Sequence, residues 1–87
     1  MKKAEGFVIR KVGNEYVIVP AGKRCEEVNE TVTLSESAAF MYMHAEEARD
    51  MDSLAELVAN EYGVKKEDVY PDVVQVVTVL KQKGILL

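Results

Sequence analysis

The sequence predicts an α+β domain in which three antiparallel strands precede three helices. Two observations carry this prediction. The first third of the chain holds β-branched and aromatic runs separated by polar turns, whereas the part after Leu34 holds helical periodicity and capping residues. The chain has 87 residues, which fits one small domain, so we expect a single unit over residues 1–87.

The first two strands are expected to form a β-hairpin. The runs FVIRKV (7–12) and YVIVP (16–20) flank the sequence GNE, and Gly and Asn are typical of hairpin turns. Pro20 has no N–H to donate to a sheet, so it should end the second strand or lie at an edge. After a polar loop over residues 21–30, the run TVTL from Thr31 to Leu34 is short and β-branched, and it predicts a third strand.

Capping residues predict two further boundaries. Ser35 precedes the helical stretch SESAAFMYMHAEEA and is a good N-cap. After the linker EARDMD, Ser53 is followed three residues later by Glu56, which is a capping-box pattern and predicts that the second helix begins there. Gly63 is expected to end this helix.

The stretch PDVVQVVTVLKQKG, residues 71–84, has the composition of a strand but the period of a helix. Valine favours strands, yet apolar pairs separated by single polar residues match the helical repeat, and fourteen residues are long for a strand. We therefore predict a third helix, with Pro71 in or near its first turn and Gly84 as its cap. The last two helices and their short connection resemble a helix-turn-helix, so the whole is expected to be winged-helix-like.

The third helix is apolar over a wide sector of about 160°, which exceeds the ~100° that a surface helix needs to face its own core. Tyr70 and Val74 widen the sector on one side, and Val79 lies off the other side. The central stripe is Val69, Val73, Val76, Val77 and Leu80. The polar face is Pro71, Gln75, Thr78 and Gln82. This excess of apolar surface needs a cover.

Charge argues against a nucleic-acid binder. The net charge is -4, and between Cys25 and Val64 the only basic residue is Arg49. A nucleic-acid-binding domain usually concentrates Lys and Arg on one face. The basic residues near the N-terminus leave a small basic patch open as an alternative.

The remaining composition predicts a cytoplasmic protein without a membrane segment. The single cysteine excludes an internal disulfide and fits a reducing compartment. No run approaches the ~20 apolar residues of a membrane span. The apolar run Phe7–Ile9 is too short for a signal peptide.

No residue set predicts catalysis, a cofactor or a metal. His44 is the only histidine and Cys25 the only cysteine, and neither a metal-ligand spacing nor a phosphate-binding loop is present. His44 at the end of the first helix suits the helix dipole. Cys25 is expected to be a free thiol, with redox reactivity beside Lys23 and Arg24 as the alternative. We therefore expect a non-enzyme.

The order of these elements resembles the PqqD family, whose members include peptide-recognition elements of ribosomally made, modified peptide pathways. The resemblance covers nearly the whole chain. It rests on Leu34 before the first helix, Asp72-Val73 in the third and the ending LKQKGIL, residues 80–86. Ser35 stands where the family often has Asn, and Tyr42 where it often has Trp, so a divergent member is expected.

The resemblance implies a winged-helix-like chaperone that captures a precursor (leader) peptide and presents it to a modifying enzyme, often a radical-SAM enzyme, as in pyrroloquinoline quinone synthesis. The third strand is short and is expected to be an edge strand, to which the peptide would add as a further strand beside the third helix. The peptide-binding residues expected on this basis are Thr31, Val32, Thr33, Leu34, Tyr70, Val74 and Val77.

Three alternatives are also consistent with the sequence. In the first, the hairpin covers the widened helix face and leaves no groove. In the second, the strand edge serves self-association as a homodimer. In the third, the chain is a winged-helix DNA-binding protein, which the absence of Lys and Arg from the exposed face of the third helix disfavours.

Overall fold

The computed structural model of the chain describes residues 1–22 and 31–87. Strands β1 (Phe7–Val12) and β2 (Glu15–Pro20) pair in an antiparallel hairpin, with Phe7 opposite Pro20 and Val12 opposite Glu15. The turn between them has Gly13 at a φ of 62°, a left-handed value that glycine adopts without steric cost. The predicted hairpin is therefore confirmed. Cys25 and most of the predicted polar loop lie outside the described residues.

Strand β3 (Val32–Leu34) pairs antiparallel with β2, from Ile18 opposite Val32 to Tyr16 opposite Leu34. The sheet order is β1-β2-β3, so β3 lies at an edge, as the sequence predicts. Thr31, predicted as the first residue of this strand, lies one position before it and is exposed.

Three helices follow the sheet: α1 (Glu36–Met43), α2 (Met51–Tyr62) and α3 (Lys66–Gln82), with a short 3₁₀ turn at Ala45–Glu47. The α+β arrangement of three antiparallel strands and then three helices is confirmed. Ser35 caps α1 as predicted, because the Ala38 N–H donates to its Oγ at 3.2 Å.

Helix α2 begins two residues before the predicted start at Ser53. The N-cap is Asp50, whose carboxylate accepts from the Ser53 N–H at 2.8 Å, while Ser53 Oγ accepts from the Asp50 N–H at 3.3 Å. A capping box is present, but Ser53 takes the third helical position and Glu56 has no part in it. The sequence was misleading here because Asp and Ser are both strong N-cap residues.

Helix α3 also begins earlier than predicted, at Lys66, which places Pro71 in the second turn. Pro71 lacks the N–H that would bond the Glu67 carbonyl, and it is tolerated because this side of the helix faces water. Both predicted glycine ends are confirmed. Gly63 ends α2 with a φ of 64°, and Gly84 follows α3 with a φ of 73°.

The hydrophobic core lies where the three helices pack together and α1 packs against β2 and β3, and the two ends of the chain close it. The Ala4 N–H donates to the Ile85 carbonyl at 2.9 Å, and Lys3 pairs with Leu86. The largest fully buried side chains are Ile18, Leu54, Val58, Val73, Val77, Leu80 and Leu86. Within the described residues, no helix has the length and apolar character needed to cross a membrane.

Candidate functional site

A groove runs between the edge strand β3 and helix α3, with a volume of about 470 Å³. Its strand side is formed by Val32, Thr33 and Leu34. Its helix side is formed by Asp72, Gln75, Val76, Val79 and Leu80, and α1 with its N-cap adds Ser35, Ser37, Ala38 and Met41. The groove therefore exists on the strand that the sequence predicts as an open edge.

The groove has an apolar floor and a half-open apolar wall. Leu34, Met41 and Leu80 are buried at its base. Val76 is half-buried, and Val79 keeps 37% of its surface exposed. Apolar surface that the fold leaves uncovered beside a groove is typical of binding sites.

The strand side offers main-chain hydrogen-bonding groups as well. Strand β3 pairs on one side with β2, and no other strand of the described chain pairs with its second side. An edge strand presents a row of N–H and C=O groups to which an extended peptide can pair. The groove thus combines a strand edge with an apolar wall opposite.

The polar groups of the groove carry little charge. Asp72 is its only charged side chain, and no Lys or Arg is among the lining residues that the structure describes. The hydroxyls of Ser35 and Ser37 lie 3.3 Å apart at the start of α1. The described lining of the groove therefore mixes apolar and neutral polar side chains, with one carboxylate on its helix side.

The structure brings only part of the predicted site together. Val32, Thr33 and Leu34 line the groove, and Thr31 directly precedes them. None of the three predicted helix-wall residues lies along it. Val77 is fully buried in the core, Val74 is half-buried, and Tyr70 borders a separate depression with Asp52, Lys66, Glu67 and Pro71.

Helix geometry explains this placement. At about 100° per residue, Val73, Val77 and Leu80 form the buried stripe of α3. Tyr70 and Val74 fall on one flank of this stripe, whereas Val76 and Val79 fall on the other, which faces β3. Sequence reasoning found both flanks but had no signal for which one meets the strand. It therefore left Val76, Val79 and Asp72 out of the site. The part of Tyr70, Val74 and Val77 in peptide binding stays a prediction.

The side chains of His44 and Tyr42 are engaged in local contacts. His44 Nδ1 contacts the Glu47 carboxylate, and its ring packs on Phe40 with centroids 4.2 Å apart. Tyr42 is buried under the Lys3 ammonium, and its burial, aided by Glu46, raises the pKa of its hydroxyl. In residues 1–22 and 31–87, no group of three or more His, Cys, Asp or Glu residues is arranged to hold a metal ion.

Comparison with known proteins gives a family match and a shared fold. The family model described as Coenzyme PQQ synthesis protein D (PqqD) matches residues 15–86. TbiB1 in complex with the TbiA(beta) leader peptide is 19% identical, with a TM-score of 0.72 over 99% of this chain and 94% of that one. Lasso peptide synthetase B1 complexed with the leader peptide is 20% identical, with a TM-score of 0.72 over 99% and 95%. At these identities the likeness shows a shared fold. No curated protein matches the chain.

Proposed function

The chain belongs to the PqqD family, and from this premise we propose that it is a non-catalytic chaperone for a precursor peptide. It binds the leader segment of that peptide and presents it to a modifying enzyme. The observation that carries the proposal is the groove, which lies between the edge of β3 and the exposed flank of α3. Two solved structures with this fold hold leader peptides, which supports the same use of the groove here.

The binding mode is strand addition to β3. An extended peptide pairs its main chain with Thr31–Leu34 and becomes a fourth strand of the sheet. Successive side chains of a strand point to opposite faces, so every second peptide side chain enters the groove. Main-chain pairing gives affinity for many sequences, and the groove selects among them.

The selective wall in this proposal is the flank of α3 that carries Val76 and Val79. An apolar peptide side chain placed there covers Val79, the more exposed of the two. Burying one Leu or Phe side chain contributes about 1.5–3 kcal/mol. Two such anchors on alternate peptide positions would add to the main-chain hydrogen bonds of the new strand.

The partner enzyme follows from the family rather than from the groove. The PqqD resemblance implies a radical-SAM enzyme as the partner that receives the peptide. A reversible complex suits this role, because the enzyme must reach the modified part of the precursor while the leader stays bound. Self-association through the same strand edge would compete with the peptide.

Peptide selection followed by chemical-shift mapping tests the proposal. Random twelve-residue peptides displayed on phage are selected on the immobilised protein, and the enriched peptide is titrated into ¹⁵N-labelled protein. We expect shifts centred on Thr31–Leu34, Val76 and Val79, with slowed amide exchange in β3. Shifts confined to the depression at Tyr70, or to β1, would contradict strand addition at β3.

A further inference from the structure

We propose that the groove selects a peptide with a cationic side chain, Lys or Arg, two residues from an apolar one, and that Asp72 is the residue that selects it. This inference rests on the proposed function, because it names the class of peptide that the groove takes. It goes further by assigning a charge requirement to one carboxylate.

The Asp72 side chain is exposed and lines the groove, and it has no ion pair with any residue that the structure describes. The cation in the first turn of α3, Lys66, already pairs with two acids. Lys66 Nζ lies 2.6 Å from Asp52 and 3.4 Å from Glu56, both on α2. The carboxylate of Asp72 is therefore available to a ligand, whereas Asp52 and Glu56 share the Lys66 ammonium.

The rest of the groove gives Asp72 no competitor. Its remaining polar side chains, such as Ser35, Ser37 and Gln75, are neutral. The protein carries a net charge of -4, so its long-range field also favours a cationic peptide over an acidic one. A peptide carboxylate beside Asp72 would meet like charge, and none of the groove residues that the structure describes is a cation that could offset it.

Spacing sets the pattern of the peptide. Asp72 and Val76 are one turn apart, about 6 Å along the helix axis. Alternate residues of an extended peptide, which point to the same face, are about 6.7 Å apart. A cationic side chain over Asp72 therefore places the side chain two residues away over Val76. The matching sequence is cation, any residue, apolar residue, or the reverse order.

Labelled synthetic peptides test this directly. The probes are eight-residue, fluorescein-labelled threonine peptides with two leucines on alternate positions and one variable residue two positions before, or two positions after, the leucine pair. The variable residue is Lys, Gln or Glu. Affinity is measured by fluorescence anisotropy for wild type, Asp72→Asn, Asp72→Lys and Glu67→Lys. Glu67 lies on α3 outside the groove, so Glu67→Lys makes the same change of charge as Asp72→Lys without altering the groove lining. Thermal melting verifies that each variant folds.

We expect wild type to bind the Lys peptide about fivefold tighter than the Gln peptide in one of the two orders. Higher salt should reduce the difference. Asp72→Asn should abolish it, Asp72→Lys should prefer the Glu peptide, and Glu67→Lys should keep the preference for Lys.

Two results separate failure of the inference from failure of the proposed function. Equal binding of the Lys, Gln and Glu peptides, with all three weakened by Val79→Asp, overturns the role of Asp72 and leaves the groove intact. Absence of binding by every peptide, or binding that Val79→Asp leaves unchanged, overturns the peptide groove and the charge requirement together.

Discussion

Val79 and Val74 lie on opposite flanks of α3, separated by the buried stripe that contains Val77. Val79 is exposed and lines the groove beside β3, whereas Val74 is half-buried and lies outside it. The two residues have the same side chain on the same helix. They therefore form a matched pair that separates peptide binding from folding.

The first prediction uses this pair. Val79→Asp should fold with a nearly normal melting temperature but lose at least tenfold (about 1.4 kcal/mol) in affinity for the neutral Gln peptide, because the new carboxylate is covered without a partner. Val74→Asp should do the reverse, lowering the melting temperature while keeping peptide affinity. Melting curves and anisotropy titrations of both variants make the test. Peptide binding lost in Val74→Asp but kept in Val79→Asp would place the groove on the flank predicted from the sequence.

The second prediction concerns the strand. Because strand addition uses main-chain groups, Thr31→Ala and Thr33→Ala should each change peptide affinity by less than about 0.5 kcal/mol. Both side chains are exposed, so the variants should also melt like wild type. Isothermal titration with the enriched peptide measures the effect. A loss of tenfold or more in either variant would show that a threonine hydroxyl, rather than the main chain, recognises the peptide.

Locally coded features of the fold were predictable from the sequence. The hairpin turn at Gly13, the cap at Ser35 and the helix ends at Gly63 and Gly84 depend on residues next to one another in the chain. The start of α2 was misplaced because Asp50 and Ser53 are both good caps, and only the folded backbone selects between them.

The groove was predictable only in part, because its two sides have different origins. The edge position of β3 follows from its short, alternating sequence. Which flank of α3 meets it depends on where α1 and α2 pack, and that arrangement joins residues distant in sequence. The apolar residues on both flanks of the buried stripe made either flank consistent with the sequence. The sequence indicated Tyr70 and Val74, whereas Val76 and Val79 line the groove beside β3, and which of these residues contact a peptide stays a prediction.

The third prediction concerns DNA. The polar face of α3, including Pro71, Gln75, Thr78 and Gln82, is exposed and carries no Lys or Arg, and affinity for DNA depends mainly on neutralising phosphates. We expect no sub-micromolar binding to a twenty-base-pair duplex at about 150 mM salt. Anisotropy of a labelled duplex at several salt concentrations checks this. Tight binding that weakens steeply with salt would favour the winged-helix DNA-binding alternative.

The last prediction concerns the pH dependence of stability at the start of α2. The hydrogen bond from the Ser53 N–H holds the pKa of the Asp50 carboxyl below its ordinary value, which is about 3.9 in an unfolded chain. A carboxyl whose folded pKa is lowered stabilises the protein above its unfolded pKa, and that contribution is lost as the pH falls through the folded pKa. Asp50→Ala should therefore melt below wild type at pH 7, and the difference in melting temperature should narrow below a pH of about 4.

Ser53→Ala is the control, because it removes the other half of the capping box but keeps the backbone N–H and the Asp50 carboxylate. The difference in melting temperature between Ser53→Ala and wild type should change much less with pH. If instead the melting temperatures of Asp50→Ala and wild type differ by the same amount from pH 7 down to a pH of about 2, this carboxylate adds no pH-dependent stability.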